Sequence, residues 1–293
     1  MSQRITFNLI ENAFDYVLSA AEHAKLGSPR AWKYAVLHLA AGIELLLKAR
    51  LVREHWALIF LKADEASNSA MRSGDFVSVD FKTACSRLNN IGGVAIAKES
   101  YQHLESLRKL RNRIQHFAID VEAPQAKSLL AKGIRFFMDF CEAELEDEFE
   151  ARRDDEISGM VEQLRGFKEF VEERLASISS GLQRAYELAE CPRCWQLAVE
   201  IGDGDPHCLF CLSEVDAEEL ARQLATEADL ETCPSCGKDT FVFRIYNNER
   251  AQWVCTSCGD TADRYEHCPR CGGGFSGDAP VCCTCWEYMN SKD

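Results

Sequence analysis

Residues 27–52 read "GSPRAWKYAVLHLAAGIELLLKARLV", and this stretch decides the fold of the first half of the chain. Ser28 is placed to cap a helix and Pro29 to open its first turn, where a missing N–H costs nothing. Apolar residues then recur on nearly every side, so this helix should be the central and most buried one. Its longest apolar run is interrupted by His38, Glu44 and Lys48, short of the ~20 residues needed to span a bilayer.

The flanking sequence is also helical. Residues 5–24, "ITFNLIENAFDYVLSAAEHA", place Ile5, Leu9, Ile10, Phe14, Val17, Leu18 and Ala21 at helical spacing. "SVDFKTACSRLNNIGG" (78–93) is a shorter helix, capped by Asp80 and ended by Gly92–Gly93. "KESYQHLESLRKLRNRIQHFAI" (98–119) is a fourth, and Pro124 opens a fifth.

No proline follows until Pro192, so the fifth pattern extends into a long helix or coiled-coil linker over 142–190. The charge run "EAELEDEFEARRDDE" (142–156) marks the expected exit from the globular core. Beyond it, Val161, Leu164, Val171, Leu175, Ile178, Leu182 and Ala185 recur at three or four residues. Packing on its own chain is the alternative reading of that seam. Gly159, Gly166 and Gly181 each weaken a continuous rod by roughly 1 kcal/mol relative to alanine.

Of 15 cysteines in the chain, all but Cys85 and Cys141 lie beyond residue 190. The start, "MSQRITFNLIENAFDYV", lacks a basic head followed by an apolar stretch, so a cytoplasmic protein is expected. In that compartment a cysteine cluster reads as metal ligation rather than as disulfides. Six Cys-x-x-Cys pairs are present, several in the contexts "CPRC", "CPSCG" and "CTSCG". Two thiolates from one tight turn, joined by two from another, complete a tetrahedron around Zn²⁺.

Pairing neighbours gives three sites: Cys191, Cys194, Cys208 and Cys211; Cys233, Cys236, Cys255 and Cys258; Cys268, Cys271, Cys282 and Cys285. About three structural zinc ions per chain are expected. An interleaved pairing of the last four pairs is the alternative, and Cys283 is either a spare thiol or a true ligand. "TFVFRIYNNERAQWVC" (240–255) supplies the hairpin of the second site.

These segments resemble tandem zinc ribbons, over 191–213, 214–260 (with a helix in "DAEELARQLATEADL") and 261–293. Closed four-thiolate sites leave no position for a substrate, so catalysis is not expected at the metal. Trp195, Trp253, Phe275 and Trp286 are expected to fill small cores, with base stacking as the alternative. Cys85 and Cys141 read as buried small hydrophobes.

The net charge of -14 argues against coating nucleic acid or anionic membrane. Residues 191–293 hold 18 acidic and 8 basic side chains, which favours protein contact over duplex binding for the ribbons.

One local exception is "LRNRIQHF" (110–117). On a helix, Asn112 and His116 project from one face, Arg108 continues it, and Arg111 reaches toward it. Imidazole moves protons near neutral pH, and guanidinium stabilises charge developing on a phosphate. An RNA 2′-OH can serve as the internal nucleophile, so no metal is needed. A solvated helix face is the competing reading.

"LRKLRNRIQHF", preceded by "AAGIELLLKARL", resembles the HEPN superfamily over about residues 1–141. The family pattern is an Arg, often followed by a polar residue, and a His several positions on; Arg111-Asn112-x-x-x-His116 fits it. The resemblance implies a helical bundle that dimerises so that two motifs face one RNA cleft. It also implies metal-independent endoribonuclease activity of the kind found in toxin–antitoxin and antiphage systems. By position Arg111 would stabilise the scissile phosphate, Asn112 would orient it or the histidine, and His116 would be the general acid/base, with Glu44 a possible supporting residue.

The expected architecture is thus mainly α: a HEPN-like bundle (1–141), a long helical linker (142–190) and C-terminal zinc ribbons with small β-sheets. The expected partners are an RNA substrate, a second copy of the chain, and a protein partner or inhibitor at the ribbons, with no membrane. A non-catalytic dimeric adaptor is the alternative function. A zinc-dependent hydrolase would need an open site, for which only His207 and His267 stand near ligand cysteines.

Overall fold

A computed structural model of the chain describes residues 5–185, 187–202, 204–225, 230–246 and 250–291. The chain divides into two compact units, Met1–Ala176 and Ser177–Asp293.

The first unit is helical: α1 (Leu9–Leu26), α2 (Pro29–Glu54), α3 (Asn68–Ser73), α4 (Phe81–Asn90), α5 (Lys98–His116), α6 (Ala123–Glu144), α7 (Glu146–Glu150), α8 (Ser158–Gln163) and α9 (Lys168–Arg184), within which the division falls. Local chemistry sets the boundaries. The Asn8 side chain accepts from the Glu11 N–H at 2.9 Å while the Glu11 carboxylate accepts from the Asn8 N–H at 2.8 Å, a reciprocal cap for α1. Ser28 caps α2 by accepting from the Ala31 N–H at 3.2 Å, and Asp80 caps α4 by accepting from the Thr83 N–H at 2.8 Å.

As expected, α2 is central, with Leu39, Leu46, Leu47 and Leu51 fully buried. It packs very closely on α1. A Cβ added at Gly42 would lie 2.6 Å from Val17 Cγ2 and 2.9 Å from the Ala13 carbonyl oxygen. On its other side α6 crosses at Gly133, where a Cβ would meet Leu39 Cδ2 at 2.7 Å. Phe14 of α1 and Phe137 of α6 close the core edge to face, with centroids 4.9 Å apart. Between α2 and α4 one side chain gathers three carbonyls of the irregular chain. The Arg87 guanidinium donates to the carbonyls of Leu58, Phe60 and Leu61 at 2.6, 2.6 and 2.9 Å.

The long helix expected over 142–190 is not continuous. It breaks at Leu145, at Arg152 ahead of a single π-helical turn (Arg153–Ile157), and again between α8 and α9 at a turn containing Gly166. Nor is its first half an exposed linker. Leu145, Phe149, Ile157, Met160, Val161, Leu164, Phe167 and Phe170 are buried, so the segment folds back and the first unit runs to residue 176 instead of closing at 141. Burying eight apolar side chains in the same chain outweighs a seam that would leave most of them in water. The charge run read as an exit instead ties the fold-back down. Arg50 pairs with Glu144 at 3.0 Å, and Arg53 pairs with Glu148.

Among its described residues the second unit holds three small antiparallel sheets and two helices besides the end of α9. The first sheet is β1 (Glu187–Glu190), β2 (Leu197–Ile201) and β3 (His207–Cys208), in that order, so it begins before the expected boundary at 191. Next come α10 (Ala217–Leu224), and then β4 (Leu230–Glu231), β5 (Phe241–Tyr246), β6 (Arg250–Cys255) and β7 (Thr261–Ala262) in one sheet. The expected hairpin is β5–β6, pairing Phe241 with Cys255 and Phe243 with Trp253. Its tip, 247–249, and the end of the helix read over 216–230, at 226–229, lie outside the described residues.

β8 (Tyr265–His267) and β9 (Gly274–Ser276) form the last sheet, followed by α11 (Cys283–Asn290). The third segment is therefore not a ribbon with two hairpin turns, because its final cysteine pair sits at a helix start. Positions i and i+3 share a helix face, so Cys-x-x-Cys serves there as well as in a turn. The first two sheets are joined by Glu187, whose carboxylate accepts from Arg244 at 2.6 Å; burial pushes that carboxyl up to about 7 against the pull of the guanidinium. No helix among the described residues is long and apolar enough to cross a membrane.

The α1–α2 contact gives a direct test. Gly42→Ala should destabilise the chain by about 1–3 kcal/mol in a urea melt, because neither helix backbone can retreat from a packed core. Gly159→Ala, on a helix with nothing within 4 Å of the new Cβ, should be neutral or stabilising by up to about 1 kcal/mol. Equal effects of the two would show that the close approach does not exist.

Candidate functional site

Five of the six cysteine pairs close the same turn. In each, the first cysteine's N–H donates to the carbonyl five residues on, as Cys233 does to Lys238 at 2.8 Å and Cys255 to Asp260 at 2.8 Å. Its carbonyl accepts from the N–H four residues on, at Trp195, Leu212, Gly237, Gly259 and Gly272. That fourth residue is left-handed every time, with φ of 61, 65, 74, 70 and 74°. The turn also aims backbone N–H groups at sulfur, as from Cys258 to Cys255 Sγ at 3.4 Å. The sixth pair is different: Cys282 is the N-cap of α11 and Cys285 lies in its first turn.

The pairs meet as neighbours. Cys191, Cys194, Cys208 and Cys211 form one group, Cys233, Cys236, Cys255 and Cys258 a second, and Cys268, Cys271, Cys282 and Cys285 a third, with all sulfurs of a group within 4.8 Å of one another. The interleaved alternative is not adopted, and Cys283 stands outside the third group. Sulfur–sulfur distances are 3.7 Å for Cys191–Cys211 and Cys194–Cys208, 3.8 Å for Cys233–Cys258, 3.7 Å for Cys236–Cys255 and 3.6 Å for Cys271–Cys282. Four sulfurs each about 2.3 Å from a tetrahedral Zn²⁺ lie about 3.8 Å apart. A disulfide would bring a pair to about 2.0 Å. The donor set and its spacing therefore fit a structural zinc ion, and each of the three groups can hold a metal.

His207 and His267 do not join these groups. They sit beside Glu200 at 3.8 Å and Glu231 at 3.5 Å. Two hydroxyls missed in the sequence do reach ligand sulfurs: Ser213 Oγ lies 3.0 Å from Cys211 Sγ, and Thr240 Oγ1 lies 3.1 Å from Cys255 Sγ. Only their closeness in sequence to a ligand pair could have signalled this. Enclosure differs among the sites. All four cysteines of the first are buried, whereas Cys236 in the second and Cys271 in the third are exposed. Trp253 stacks on Phe241 at 5.5 Å and Phe275 is buried, so these two fill cores as expected. Trp195 and Trp286 do not, being 60% and 52% exposed.

The other candidate is on α5. Arg111 is half-buried and its Nη1 donates to Asn112 Oδ1 at 3.0 Å. It lines a cavity of about 20 Å³ with Ala40, Ile43 and Glu44 of α2, Phe81, and Arg108 of its own helix, space for a single water. Glu44 is held by the buried Lys48, whose Nζ lies 2.7 Å from its carboxylate and 2.9 Å from Ser78 Oγ. Glu105 accepts a bidentate bond from Arg108 at 2.8 and 2.9 Å, which neutralises that cation. No carboxylate among the described residues pairs with Arg111 or Arg113; Arg113 donates instead to the Asp120 carbonyl at 3.0 Å.

His116 is the last residue of α5, exposed, with no hydrogen-bond partner among the described residues. Of the three residues singled out in the sequence, Arg111 and Asn112 are in contact. His116 shares Asn112's face one turn on, in solvent.

Comparison with family models, with curated proteins and with solved structures finds no match to this chain.

Thiol chemistry tests the cysteine assignment. In the native metal-loaded protein, Cys283 should react quickly with an aromatic disulfide reagent, and the 12 grouped cysteines should be protected until a chelator is added. Cys85 and Cys141 should stay silent until the fold is lost, since burial pushes the Cys85 thiol up to about 12 and raises that of Cys141 as well. Metal analysis should return about three zinc ions per chain. Rapid labelling of a complete group in the loaded protein would contradict the assignment.

Proposed function

We propose that this chain is a HEPN-type, metal-independent endoribonuclease. The observation that carries the reading is on α5: Arg111, half-buried and hydrogen-bonded to Asn112 but unpaired with any described carboxylate, five residues before an exposed His116, in a chain of net charge -14. A cation left without a counter-ion in an acidic protein is suited to an anion brought from outside.

In the mechanism His116 takes the proton from a ribose 2′-OH, and the 2′-oxygen attacks the adjacent phosphorus. Arg111 stabilises the charge that develops on the phosphoryl oxygens, with Asn112 holding the guanidinium in place. The P–O5′ bond breaks and the 5′-oxygen is protonated, leaving a 2′,3′-cyclic phosphate and a 5′-OH. Base and acid are both needed in one step, which suits a homodimer presenting two copies of the motif to one strand. Glu44, fixed by Lys48, positions the Arg111 side of the small cavity.

Zinc at the three cysteine groups supplies structure alone, because four thiolates leave it no open position. The HEPN resemblance further points to a toxin or antiphage-defence effector acting in the cytoplasm. One observation favours a second reading: the His116 ring has no described partner to orient it. In that reading the helical unit is a non-catalytic dimeric adaptor that presents the metal sites to a partner.

Wild type and His116→Ala, incubated briefly with total RNA in magnesium-free buffer, separate the two. The ribonuclease reading expects wild-type cleavage to cyclic-phosphate ends and a loss on the order of 10²–10⁴-fold in the variant, with zinc content and melting temperature unchanged. Equal cleavage by both proteins, or none by wild type, would leave the adaptor.

A further inference from the structure

Where α1 turns into α2, the helical unit carries charge of one sign. Residues 23–43, "HAKLGSPRAWKYAVLHLAAGI", include Lys25, Arg30, Lys33 and two histidines but no Asp or Glu, in a chain that has 47 of them. None of the three cations pairs with a carboxylate among the described residues. Arg30 and Lys33 meet instead on the Tyr34 ring, 5.9 and 4.7 Å from its centroid. A π face attracts a cation but carries no counter-charge, so it gathers two positive charges without cancelling them. Tyr34 in turn lies 5.5 Å from the ring of His23 and 6.2 Å from that of His38, and Ser19 Oγ is 3.0 Å from His38 Nδ1.

The carboxylates around this surface are matched or face elsewhere. Glu169 reaches this end of α2 at 3.7 Å from Lys127, whose ammonium lies 5.3 Å over the Trp32 ring. Glu44 is held by Lys48. Asp15 and Glu22 are exposed on α1. Gly42, where α1 comes closest, is about 180° round α2 from Lys33 at about 100° per residue. The α1 acids therefore border the far side of the patch.

The near side leads to α5. Ala40 and Glu44 lie within about 20° of Lys33 on the helix, and Arg30 about 60° away. Ala40 and Glu44 line the small cavity with Arg111. α5 runs against α2. Tyr101, near its start, packs on Phe81 at 5.6 Å, and Ser78, three residues before Phe81, bonds Lys48 at 2.9 Å. Further along, Leu107 meets Leu39 over Gly133. The last turns of α5, with Arg111 and then His116, are thus the end directed toward Lys33 and Arg30.

We propose that Lys25, Arg30 and Lys33 are a docking track for the RNA strand, taking backbone phosphates a few nucleotides from the bond that Arg111 and His116 address. The identity of the strand rests on the ribonuclease reading of α5; the patch and its charge do not. Continuity with the α5 site along one face of α2 favours the substrate over a separate acidic protein. A single strand fits better than a duplex, whose second line of phosphates would meet the acidic remainder of the chain.

The test is binding of a fluorescent 2′-O-methyl oligouridylate, 12 nucleotides long, to the full zinc-loaded chain over a salt series. The probe has no free 2′-OH and cannot be cut, so binding is read without turnover. Each neutralised phosphate contributes about 0.7 to the slope of log affinity against log salt. Arg30→Gln with Lys33→Gln should weaken binding about tenfold or more at 0.1 M salt and reduce the slope by about 1.4, at an unchanged melting temperature. Arg30→Lys with Lys33→Arg should restore both. Lys62→Gln with Arg72→Gln, which removes the same charge away from α2, should change neither.

No binding by wild type would overturn the proposal, as would a slope that Arg30→Gln with Lys33→Gln leaves unchanged, or one lowered equally by the Lys62 and Arg72 pair. Binding of a poly-glutamate peptide through the same cations, with none of the oligonucleotide, would assign the patch to an acidic protein and equally overturn it. The two readings fail separately. Wild type that holds the strand through Arg30 and Lys33 but cuts no RNA would remove the ribonuclease and keep the track. Cleavage to cyclic-phosphate ends with an unchanged slope would remove the track and keep the ribonuclease.

Discussion

Four sulfur atoms brought to within 4.8 Å of one another, three times over, are the constraint on which the second unit depends. Its sheets have three, four and two strands, several of them only two residues long. Strands that short cannot sustain themselves by pairing, and small modules of this kind commonly borrow a metal in place of a core. In the second site a small apolar cluster sits against the cysteines: Phe241 packs with Cys233 and Cys255, and Trp253 and Tyr265 close over them. α11 shows the limit of this arrangement. None of its residues is buried, and it is attached through Cys282, Cys285 and the Arg270 guanidinium over the Tyr288 ring at 4.9 Å.

The first unit is built on the opposite principle. Its helices need no ion, because α2 buries residues on nearly every side and the segment after α6 returns to cover what remains. One of its polar clusters lies on α5 and α2. There Lys48, buried, keeps Glu44 in place, while Glu105 neutralises Arg108 and Arg111 has no counter-ion among the described residues. The proposed division of labour follows: reactive groups on a packed helix, and closed thiolate sites that organise surface and take no part in the chemistry.

What could be read from the sequence was what is local. Ser28, Asp80 and the pairing of adjacent Cys-x-x-Cys motifs each act over a few residues, and each is where the spacing placed it. The breaks at Leu145 and Arg152 were not legible, because no proline or glycine marks them and apolar spacing is the same in a straight helix and a folded-back one. The stretch before α4 depends on Arg87 reaching carbonyls more than 25 residues away, which no local pattern encodes. At the cysteines, spacing gave the ligand groups but not the helix under the last pair, nor that Trp195 would point outward while Trp253 turned inward. On α5 the motif was legible, whereas the Arg111–Asn112 bond and the solvent position of His116 needed the fold.

The most direct measurement is amide hydrogen exchange on the loaded chain and on the same chain after chelation. If one unit is held by an apolar core and the other by metal, stripping should abolish protection across β1 to α11 while the amides of α1, α2, α5 and α6 exchange as slowly as before. Sheets that stayed protected without metal, or a helical bundle that lost protection along with them, would contradict it.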